Sequence, residues 1–283
     1  MNIHTSKRCI QMLELGLSIR REILSSVEAE RPQILSITDE SGIKAKADII
    51  SDSKLRERLP VIEPAALILS EEDLEQRPID DFRQGPSWII DPIDGTSNFV
   101  NKLPGASISI AYAEDGQVRD GVVVSFYSDE HFVASNGQGA WVFNEGLNNS
   151  KQLAVRDTAK LSAAVVGLET EMAANKWEQG SFQPFFIAAL RTPVSQSYRV
   201  YEACAPSGCF VAAGRLSALV HSSCKPWDIA AAGLMIQEAG GRVSNLKDGS
   251  TRDPLVNGVV GSNGLIHEEI LDRLSTAQAQ STR

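Results

Sequence analysis

The 283-residue sequence predicts a mixed α/β (α+β) fold, and three observations support that prediction. Residues 6–30 place apolar side chains such as Ile10, Leu13 and Leu17 at helical spacing, which is typical of an amphipathic helix. Between residues 106 and 134, apolar and polar side chains alternate between Gly and Asp turns, as in antiparallel strands. Beyond residue 160, short apolar runs alternate with longer helical patterns. A chain of this length can bury a substantial core in one large unit or two smaller ones.

The N-terminal half is expected to hold the first helix and most of the strands. A short apolar run at residues 47–50 is interpreted as a strand. The helical pattern over residues 53–59 is expected to stop before Pro60, because proline disfavours a helical conformation in the residue that precedes it. Further strands are predicted at residues 65–69, 87–90, 106–113, 118–127 and 131–134.

A domain boundary is predicted near residues 153–158. It divides the chain into an N-terminal α+β unit of residues 1–155 and a C-terminal α/β unit of residues 156–283. In the second unit, Gly240 and Gly241 end a long predicted helix, as glycines commonly do. Residues 275–283 are polar and are expected to fray. The predicted elements of this unit are strands at residues 163–168, 216–220 and 259–262 and helices at residues 181–190, 204–213, 228–239 and 264–274.

Composition narrows the classes of function. The chain has 27 Lys and Arg against 36 Asp and Glu, a net charge of −9, so it lacks the broad basic surface that general nucleic-acid binding requires. No apolar run reaches the roughly 18 residues of a membrane span, and no signal-peptide pattern is present, so a cytoplasmic location without a membrane partner is expected. The four cysteines form no CxxC pair and are expected to be free thiols. The sequence has only four histidines and no GxSxG motif, which disfavours a histidine-dependent hydrolase.

Three acidic segments follow apolar strand patterns or open a helix. They are LSEED at residues 69–73, WIIDPIDGT at residues 88–96 and KPWD at residues 225–228. Each alone has an ordinary interpretation as a solvated loop, a turn or a helix N-cap. Together they indicate clustered carboxylates, which repel one another and are costly to bury without a cation. Oxygen ligands without a paired His or Cys favour Mg²⁺ over Zn²⁺.

The central motif has the properties of a combined metal and phosphate site. Pro92 has a restricted φ and favours an extended conformation at Asp91. Asp91 and Asp94 are three residues apart around a predicted tight turn, so both carboxylates can face one point. Gly95 allows the backbone to approach a ligand closely, and successive N–H groups up to Thr96 can bind an anion. Metal ligands beside a phosphate-binding turn indicate phosphoryl hydrolysis.

These motifs resemble those of the inositol monophosphatase-like superfamily of Mg²⁺-dependent, lithium-inhibited phosphatases. The resemblance rests on WIIDPIDGTSNF at residues 88–99, on KPWDIAA at residues 225–231, and on Glu71 twenty residues before Asp91, and it extends over nearly the whole chain. It implies a layered αβαβα sandwich of the sugar-phosphatase type. It also implies a homodimer and two or three Mg²⁺ ions in each active site.

The resemblance assigns metal ligands to positions in this sequence. Glu71, Asp91 and the backbone carbonyl of Ile93 correspond to ligands of a first metal. Asp91, Asp94 and Asp228 correspond to ligands of a second metal. Glu71 is also expected to hold a third, weaker ion through water.

The resemblance further implies how phosphate and water are handled. The amides of Gly95 and Thr96 are expected to bind the phosphate. The Thr96 hydroxyl, paired with an upstream aspartate, is expected to orient the attacking water for direct in-line hydrolysis without a phospho-enzyme. We place this aspartate at Asp52, with Asp48 as the alternative because the spacing to Asp52 is shorter than the usual pattern. The expected catalytic residues are Asp52, Glu71 and Thr96.

The substrate remains open among several small phosphate esters. Asn98-Phe99 and residues 225–228 are most similar to bacterial inositol monophosphatases, so inositol 1-phosphate is expected. Residues 69–73 are more similar to nucleotide phosphatases, which keeps a 3′(2′),5′-bisphosphate nucleotidase as an alternative. Histidinol phosphate is another, since its amine could pair with Glu202. The expected substrate-binding residues are Asp94, Glu202, Ala203, Cys204 and His221.

Two of these positions depart from the family pattern. His221 stands where inositol monophosphatases usually have Glu, and residues 202–204 read Glu-Ala-Cys where the family usually has Gly-Ser/Thr-Ala. A non-catalytic regulatory protein of the same fold is a further alternative, because some bacterial relatives bind components of the transcription machinery. The presence of every expected metal carboxylate together with Thr96 favours catalysis.

Overall fold

The computed structural model describes residues 4–34, 37–39, 42–72, 79–145, 149–169, 187, 189–191, 193–246, 248–250, 253 and 258–281. The helices within them are α1 (Lys7–Ile34), α2 (Lys46–Ile62), α3 (Thr96–Asn101), α4 (Cys204–Ala212), α5 (Pro226–Glu238) and α6 (His267–Ser281). The strands are β1 (Ile37–Asp39), β2 (Gly42–Ala45), β3 (Leu67–Ser70), β4 (Pro86–Asp94), β5 (Ser107–Glu114), β6 (Gln117–Ser125), β7 (Glu130–Ser135), β8 (Ala140–Asn144), β9 (Asn149–Gln152), β10 (Val165–Glu169), β11 (Ser197–Arg199), β12 (Ala218–His221), β13 (Arg242–Asn245) and β14 (Val259–Ser262).

The first large sheet has seven strands in sequence order from β3 to β9. Strands β3 and β4 are parallel, and the remaining neighbours are antiparallel. Every residue of β4 after Pro86 is buried, because helices cover both faces of the sheet. Trp88 and Ile90 pack with α1 and α2 on one face, and Ile89 packs with α4 and α5 on the other. The unbroken apolar run before Asp91 is therefore typical of a strand buried on both sides.

The second large sheet has five strands in the order β11-β10-β12-β14-β13. Leu219 of β12 lies in the core formed with α4 and α5. Its neighbours Ala218 and Val220 face the opposite side and pack with Ile270 and Leu274 of α6. The layers thus run α1 and α2, first sheet, α4 and α5, second sheet, α6. This order confirms the predicted αβαβα sandwich.

The two sheets are built from successive parts of the chain but share one core. The first sheet ends at Gln152 and the second begins at Val165, on either side of the predicted boundary between residues 155 and 156. However, Ile229 of α5 packs in the same cluster as Val123 and Phe132 of the first sheet. The division into two domains therefore stays a prediction.

Two of the predicted N-terminal elements were wrong. Residues 47–50 form the first turn of α2 and not a strand, since a short apolar run of this length does not distinguish the two. Helix α2 also continues past Pro60 to Ile62. Pro60 has no N–H to donate to the carbonyl of Arg56, so α2 loses one backbone hydrogen bond near its C-terminal end and still continues for two more residues.

The C-terminal residues also differ from expectation. Residues 275–281, which were expected to fray, are helical and continue α6, and Ala277 lies on its buried face with Leu274. Residues 282 and 283 lie outside the described residues. Residues 181–186 and 188 of the helix predicted at 181–190 lie outside the described residues. Within the part of the chain that the structure describes, no helix combines the length and apolarity needed to cross a bilayer.

Candidate active site

A bulge at the end of β4 brings Asp91 and Asp94 to the same cleft. Asp91 lies opposite Ser109 of β5 and Asp94 opposite Ser107, so three steps along β4 match two along β5. An extra residue of this kind resets the alternation of side chains along a strand. Both carboxylates consequently line the same cleft, which has a volume of about 330 Å³. The predicted tight turn is therefore replaced by a bulge in a strand that continues to Asp94.

Local hydrogen bonds stabilise this bulge. Asp91 accepts a hydrogen bond on Oδ1 from the backbone N–H of Ile93 at 3.0 Å. The carbonyl of Pro92 accepts one from the Ser51 hydroxyl of α2 at 2.9 Å. Because proline has no N–H to donate to the ladder, its position within the bulge leaves no backbone donor unpaired.

Asp94 caps the first turn of α4. Its carboxylate accepts hydrogen bonds from the backbone N–H groups of Ala205 at 2.6 Å and Cys204 at 3.3 Å. These N–H groups and the helix dipole favour the ionised carboxylate. Burial acts more strongly in the opposite direction and raises the pKa of Asp94 to about 8.

Asp228 reaches the cleft from the start of α5. Its Oδ2 accepts a hydrogen bond from the backbone N–H of Lys225 at 2.7 Å, which caps the helix. The Ser109 hydroxyl donates to the carbonyl of Trp227 at 3.2 Å. Since Ser109 pairs with Asp91, this contact joins the strand that carries Asp91 to the helix that carries Asp228.

Glu71 completes a group of four carboxylates. It follows β3, and its N–H donates to the carbonyl of Ile90 in the parallel neighbour β4 at 3.3 Å. Glu71, Asp91, Asp94 and Asp228 all line the cleft, together with Ile93. The structure thus brings together every residue that the sequence predicted as a metal ligand.

The donor chemistry of this group fits a hard divalent cation. The pKa of Asp91 lies well above its usual value, first because of burial and then because further carboxylates lie nearby. A divalent cation among these oxygen donors removes the repulsion that raises this pKa. Oxygen-only donors of this kind match Mg²⁺ and Ca²⁺ better than softer metals.

The structure pairs Thr96 with Asp48 and not with Asp52. Thr96 Oγ1 donates to Asp48 Oδ1 at 2.9 Å and lies 3.2 Å from the carbonyl oxygen of Ile93. Asp48 and Asp52 are one turn apart on α2, and four residues of helix separate them by about 6 Å. Only the first of them therefore reaches Thr96.

Asp52 has a different set of contacts. It accepts hydrogen bonds from the Ser70 hydroxyl at 2.6 Å and from Arg56 at 2.7 Å. Ser70 is the last residue of β3 and directly precedes Glu71. Asp52 thus joins α2 to the end of the strand that positions Glu71. Neither Asp48 nor Asp52 lines the cleft itself, and the contact with Thr96 is what distinguishes Asp48.

Gly95 occupies a position that no other residue could adopt without strain. Its φ is +77°, and an added Cβ would lie 2.7 Å from the carbonyl oxygen of Gly105 and 3.0 Å from Cβ of Ala203. Gly95 is also the N-cap of α3, which begins at Thr96. Gly95, Thr96 and Ser97 at this helix start line the cleft, and phosphate binding by the N–H groups of Gly95 and Thr96 stays a prediction.

The four predicted substrate residues outside the metal group also lie together. Glu202, Ala203, Cys204 and His221 all line the cleft. Glu202 is exposed and has a φ of +53°. Burial, and then the charge of Lys225, lower the pKa of His221 to about 4, so this imidazole is neutral near pH 7. Its Nδ1 accepts the backbone N–H of Ser223 at 3.3 Å.

Sequence reasoning missed Glu169, a buried carboxylate in the same cleft. Glu169 accepts hydrogen bonds from the N–H of Glu202 at 2.7 Å and the hydroxyl of Ser207 at 2.6 Å. Burial raises its pKa despite these bonds. Its position at the end of the apolar run VVGLE is the signal that could have identified it, since Asp91 follows WII in the same way.

Comparisons with known proteins agree with this geometry. Residues 15–281 match the inositol monophosphatase family. A Thermotoga maritima relative named fructose-1,6-bisphosphatase/inositol-1-monophosphatase is 35% identical over 187 residues, which are 65% of this chain and 66% of that protein. A histidinol-phosphatase of Mycobacterium tuberculosis is 30% identical over 272 residues, 93% of this chain and 97% of that protein. The solved IMPase of Thermotoga maritima has a TM-score of 0.80 at 26% identity and covers 98% of this chain and 100% of its own. The chain therefore belongs to the inositol monophosphatase family and, with it, to the phosphomonoester hydrolases.

Proposed function

We propose that the chain is a Mg²⁺-dependent phosphatase of small phosphomonoesters, with inositol 1-phosphate as the expected substrate. The observation that carries this proposal is the convergence of four carboxylates and Thr96 on one cleft. They come from the residue after β3 and from β4, α3 and α5. A purely structural cluster of buried carboxylates would bring repulsion without a benefit. A catalytic cation site accounts for their arrangement.

The residues that would hold Mg²⁺ follow from the family resemblance and the donor chemistry. Glu71, Asp91 and the Ile93 carbonyl would hold one ion, and Asp91, Asp94 and Asp228 a second. Glu71 would hold a third, weaker ion through water. When bound, Mg²⁺ polarises the phosphate as a Lewis acid and lowers the pKa of a water in its coordination shell.

The pair of Thr96 and Asp48 would orient the attacking water. Because the Thr96 hydroxyl donates its hydrogen to Asp48, its oxygen keeps a lone pair that can accept a hydrogen from water. As the water oxygen attacks phosphorus, its proton passes to Thr96 Oγ1 and the threonine proton passes to Asp48. The buried carboxylate of Asp48 would thus act as the general base.

The backbone would hold the phosphate for in-line attack. The N–H groups of Gly95 and Thr96 at the start of α3 would donate to phosphate oxygens. The bond between phosphorus and the ester oxygen breaks on the side opposite the attacking water. The leaving oxygen then takes a proton from a water beside Asp228.

The cleft favours a substrate with one phosphate. Among the described residues that line it there is no Lys or Arg, and neither Arg199 nor Lys225 belongs to the lining. A second phosphate, as in a bisphosphate nucleotide, would find Glu169 and Glu202 in place of a cation. Charge complementarity therefore supports a monophosphate over the nucleotidase alternative.

Histidinol phosphate is the second candidate substrate. The exposed carboxylate of Glu202 at the cleft could pair with a cationic amine on the leaving group. The likeness to a histidinol-phosphatase over nearly the whole chain supports the same candidate. Inositol has no cationic group, so the two substrates should respond differently to a change at Glu202.

Phosphate release with Mg²⁺ tests both candidates. The substrates would be inositol 1-phosphate, histidinol phosphate, fructose 1,6-bisphosphate, 3′-phosphoadenosine 5′-phosphate and NADP⁺. We expect Asp94→Asn to lose at least about 100-fold in kcat, which is the order expected for a lost electrostatic group at a reacting centre. Glu202→Gln should lower kcat/KM for histidinol phosphate and leave that for inositol 1-phosphate nearly unchanged.

Two outcomes would contradict the proposal. Full activity of Asp94→Asn would exclude its role as a metal ligand. Mg²⁺ binding without phosphate release from any ester would favour a regulatory binding protein of the same fold. A homodimer is proposed from the family resemblance and a cytoplasmic location from the sequence itself, and sedimentation analysis of the purified chain tests the first.

A further inference from the structure

Three side chains of metal-ligand type lie together outside the catalytic cleft. Asp129 is in the turn between β6 and β7, His131 is in β7, and Glu145 directly follows β8. Strands β7 and β8 are antiparallel neighbours, and the Glu145 N–H donates to the Asp129 carbonyl at 3.2 Å. One ligand atom from each of the three side chains lies within 4.8 Å of the other two.

The imidazole of His131 is fully buried. Its side chain has 0% exposure, and neither ring nitrogen is hydrogen-bonded within the part of the chain that the structure describes. Burial, and then the charge of Arg20, lower the pKa of His131 to about 4, so the ring is neutral near pH 7 and has a lone pair to offer. A buried polar group of this kind points to an ion or a water that completes its environment.

The spacing between His131 and Glu145 suits a shared cation better than a direct contact. Nε2 of His131 lies 3.7 Å from Oε2 of Glu145, which is too long for a hydrogen bond. Two ligands of one tetrahedral cation, each with a bond of about 2.1 Å, are about 3.4 Å apart. The observed distance between Nε2 of His131 and Oε2 of Glu145 is close to this separation between two ligands of one cation.

We propose that Asp129, His131 and Glu145 bind a second type of divalent cation, of the borderline class represented by Zn²⁺. One imidazole nitrogen and two carboxylate oxygens favour such an ion over Mg²⁺, which prefers oxygen ligands alone. Asp129 is exposed, so water can supply the remaining ligand from that side. The bound ion would join the β6–β7 turn to the end of β8.

Two arginines of α1 set the charge of this site. Arg20 contacts Oε2 of Glu145 at 3.2 Å, and Arg21 contacts Oε1 at 3.0 Å. Their charges offset the two carboxylates and weaken the attraction for a cation. The side chain of Arg21 is 58% exposed, so it can be replaced with little effect on packing. Removal of its charge should therefore strengthen cation binding.

Calorimetric titration with Zn²⁺ tests the proposal on the full-length chain. The protein is first stripped of metal and then kept in excess Mg²⁺, so that Zn²⁺ binding at the catalytic cleft is suppressed to the same extent in each variant. Wild type and the exposed-histidine control His4→Gln should bind one more equivalent of Zn²⁺ than His131→Gln and Asp129→Asn. Arg21→Gln should bind this equivalent about two- to five-fold more tightly, the range expected for one exposed charge.

The variants also separate this site from the catalytic one. Asp129 is exposed, so Asp129→Asn keeps the test valid if His131→Gln fails to fold. Mg²⁺-dependent phosphate release should be the same in Asp129→Asn as in wild type, whereas the rise in Tm on Zn²⁺ addition should disappear. Equal Zn²⁺ stoichiometry in wild type, His131→Gln and Asp129→Asn would overturn the proposal, and so would weaker Zn²⁺ binding by Arg21→Gln.

Discussion

At the scale of single residues, two aspartates one helical turn apart have separate tasks. Asp48 contacts the Thr96 hydroxyl at the cleft, and Asp52 contacts Ser70 and Arg56 away from it. Both are largely buried, so burial alone does not distinguish them. Their hydrogen-bond partners distinguish them, and variants of each aspartate can measure the difference in their effects on activity and stability.

We predict that Asp48→Asn lowers kcat by about 10²- to 10⁴-fold, the usual range for loss of a general base, with little change in KM. Asp52→Asn should reduce kcat less than tenfold, since this residue touches neither water nor phosphate in the proposed mechanism. It should lower the free energy of unfolding by about 1 kcal/mol, because a charged hydrogen bond to Arg56 is lost. Steady-state kinetics and urea unfolding measure the two effects. A larger loss of kcat in Asp52→Asn than in Asp48→Asn would indicate that Asp52, and not Asp48, works with Thr96 in catalysis.

Part of the site could be predicted from sequence because its residues stand next to recognisable elements. Glu71 follows an apolar strand, Asp91 follows the apolar run within β4, and Asp228 lies in the first turn of a helix. The partner of Thr96 was wrongly placed at Asp52, because the choice between Asp48 and Asp52 depends on whether residues 47–50 are strand or helix. Glu169 was missed because a single acid at the end of a strand has no motif around it. Its place in the cleft depends on how the second sheet packs.

At the scale of elements, the close packing of α4 against α5 positions two of the proposed metal ligands. The first turn of α4 binds Asp94, and the first turn of α5 carries Asp228. Gly208 of α4 allows the approach, since an added Cβ would lie 2.7 Å from Cβ of Ala232 in α5. Gly233 of α5 has space for a methyl group, because the nearest atom to its added Cβ would be Cγ1 of Ile229 at 3.8 Å.

Gly208→Ala should therefore separate the two helices. We expect a loss of about 1–3 kcal/mol in the free energy of unfolding, as for other overpacked cores, together with weaker Mg²⁺ binding. Gly233→Ala is the matched control and should be neutral or stabilising by up to about 1 kcal/mol, because alanine favours a helix. Urea unfolding and Mg²⁺ titration measure both variants. Equal stability of the two variants would show that this contact does not set the helix spacing.

Helix α6 should make the protein sensitive to acid. It begins at His267, whose buried ring contacts the hydroxyls of Ser244 and Ser262, each at 2.8 Å. Burial, and then the charge of Arg242, lower the pKa of His267 to about 4. A lowered histidine pKa contributes stability above the unfolded pKa near 6.5, and this contribution is lost as the pH falls towards 4. His267→Gln should consequently lose less stability than wild type between pH 6.5 and pH 4.

Thermal unfolding across this pH range measures the effect. His4→Gln serves as the control, because His4 is exposed and its replacement should leave the pH profile unchanged. If the pH profile of Tm for His267→Gln matches that of wild type, the acid sensitivity comes from other groups. The two further buried histidines, His131 and His221, have lowered pKa values of the same sign.

At the scale of the whole molecule, the proposed metal ligands oppose folding until a cation is bound. Asp91 is buried among like charges, which destabilise the folded state without metal. Asp91→Asn should therefore unfold at a higher Tm than wild type in the presence of a chelator. Wild type should gain stability with Mg²⁺, by about 2.7 kcal/mol at one hundred times the Kd, whereas Asp91→Asn should gain much less. Scanning fluorimetry compares wild type and Asp91→Asn, each with Mg²⁺ and with a chelator. A Tm of Asp91→Asn below that of wild type in the chelator would contradict the prediction.

The core shared by the two halves of the chain also affects how the protein is made. A nascent chain that has left the ribosome only as far as Gln152 contains the whole first sheet, yet the helices that cover one of its faces are still to be synthesised. Ile89, Val123 and Phe132 on that face then remain exposed to water and to other chains. We therefore expect the yield of folded protein to depend on how well this face is shielded until α4 and α5 have been made. Asp228 is the last of the four carboxylates to be synthesised, so the proposed metal site is complete only after α5 has docked.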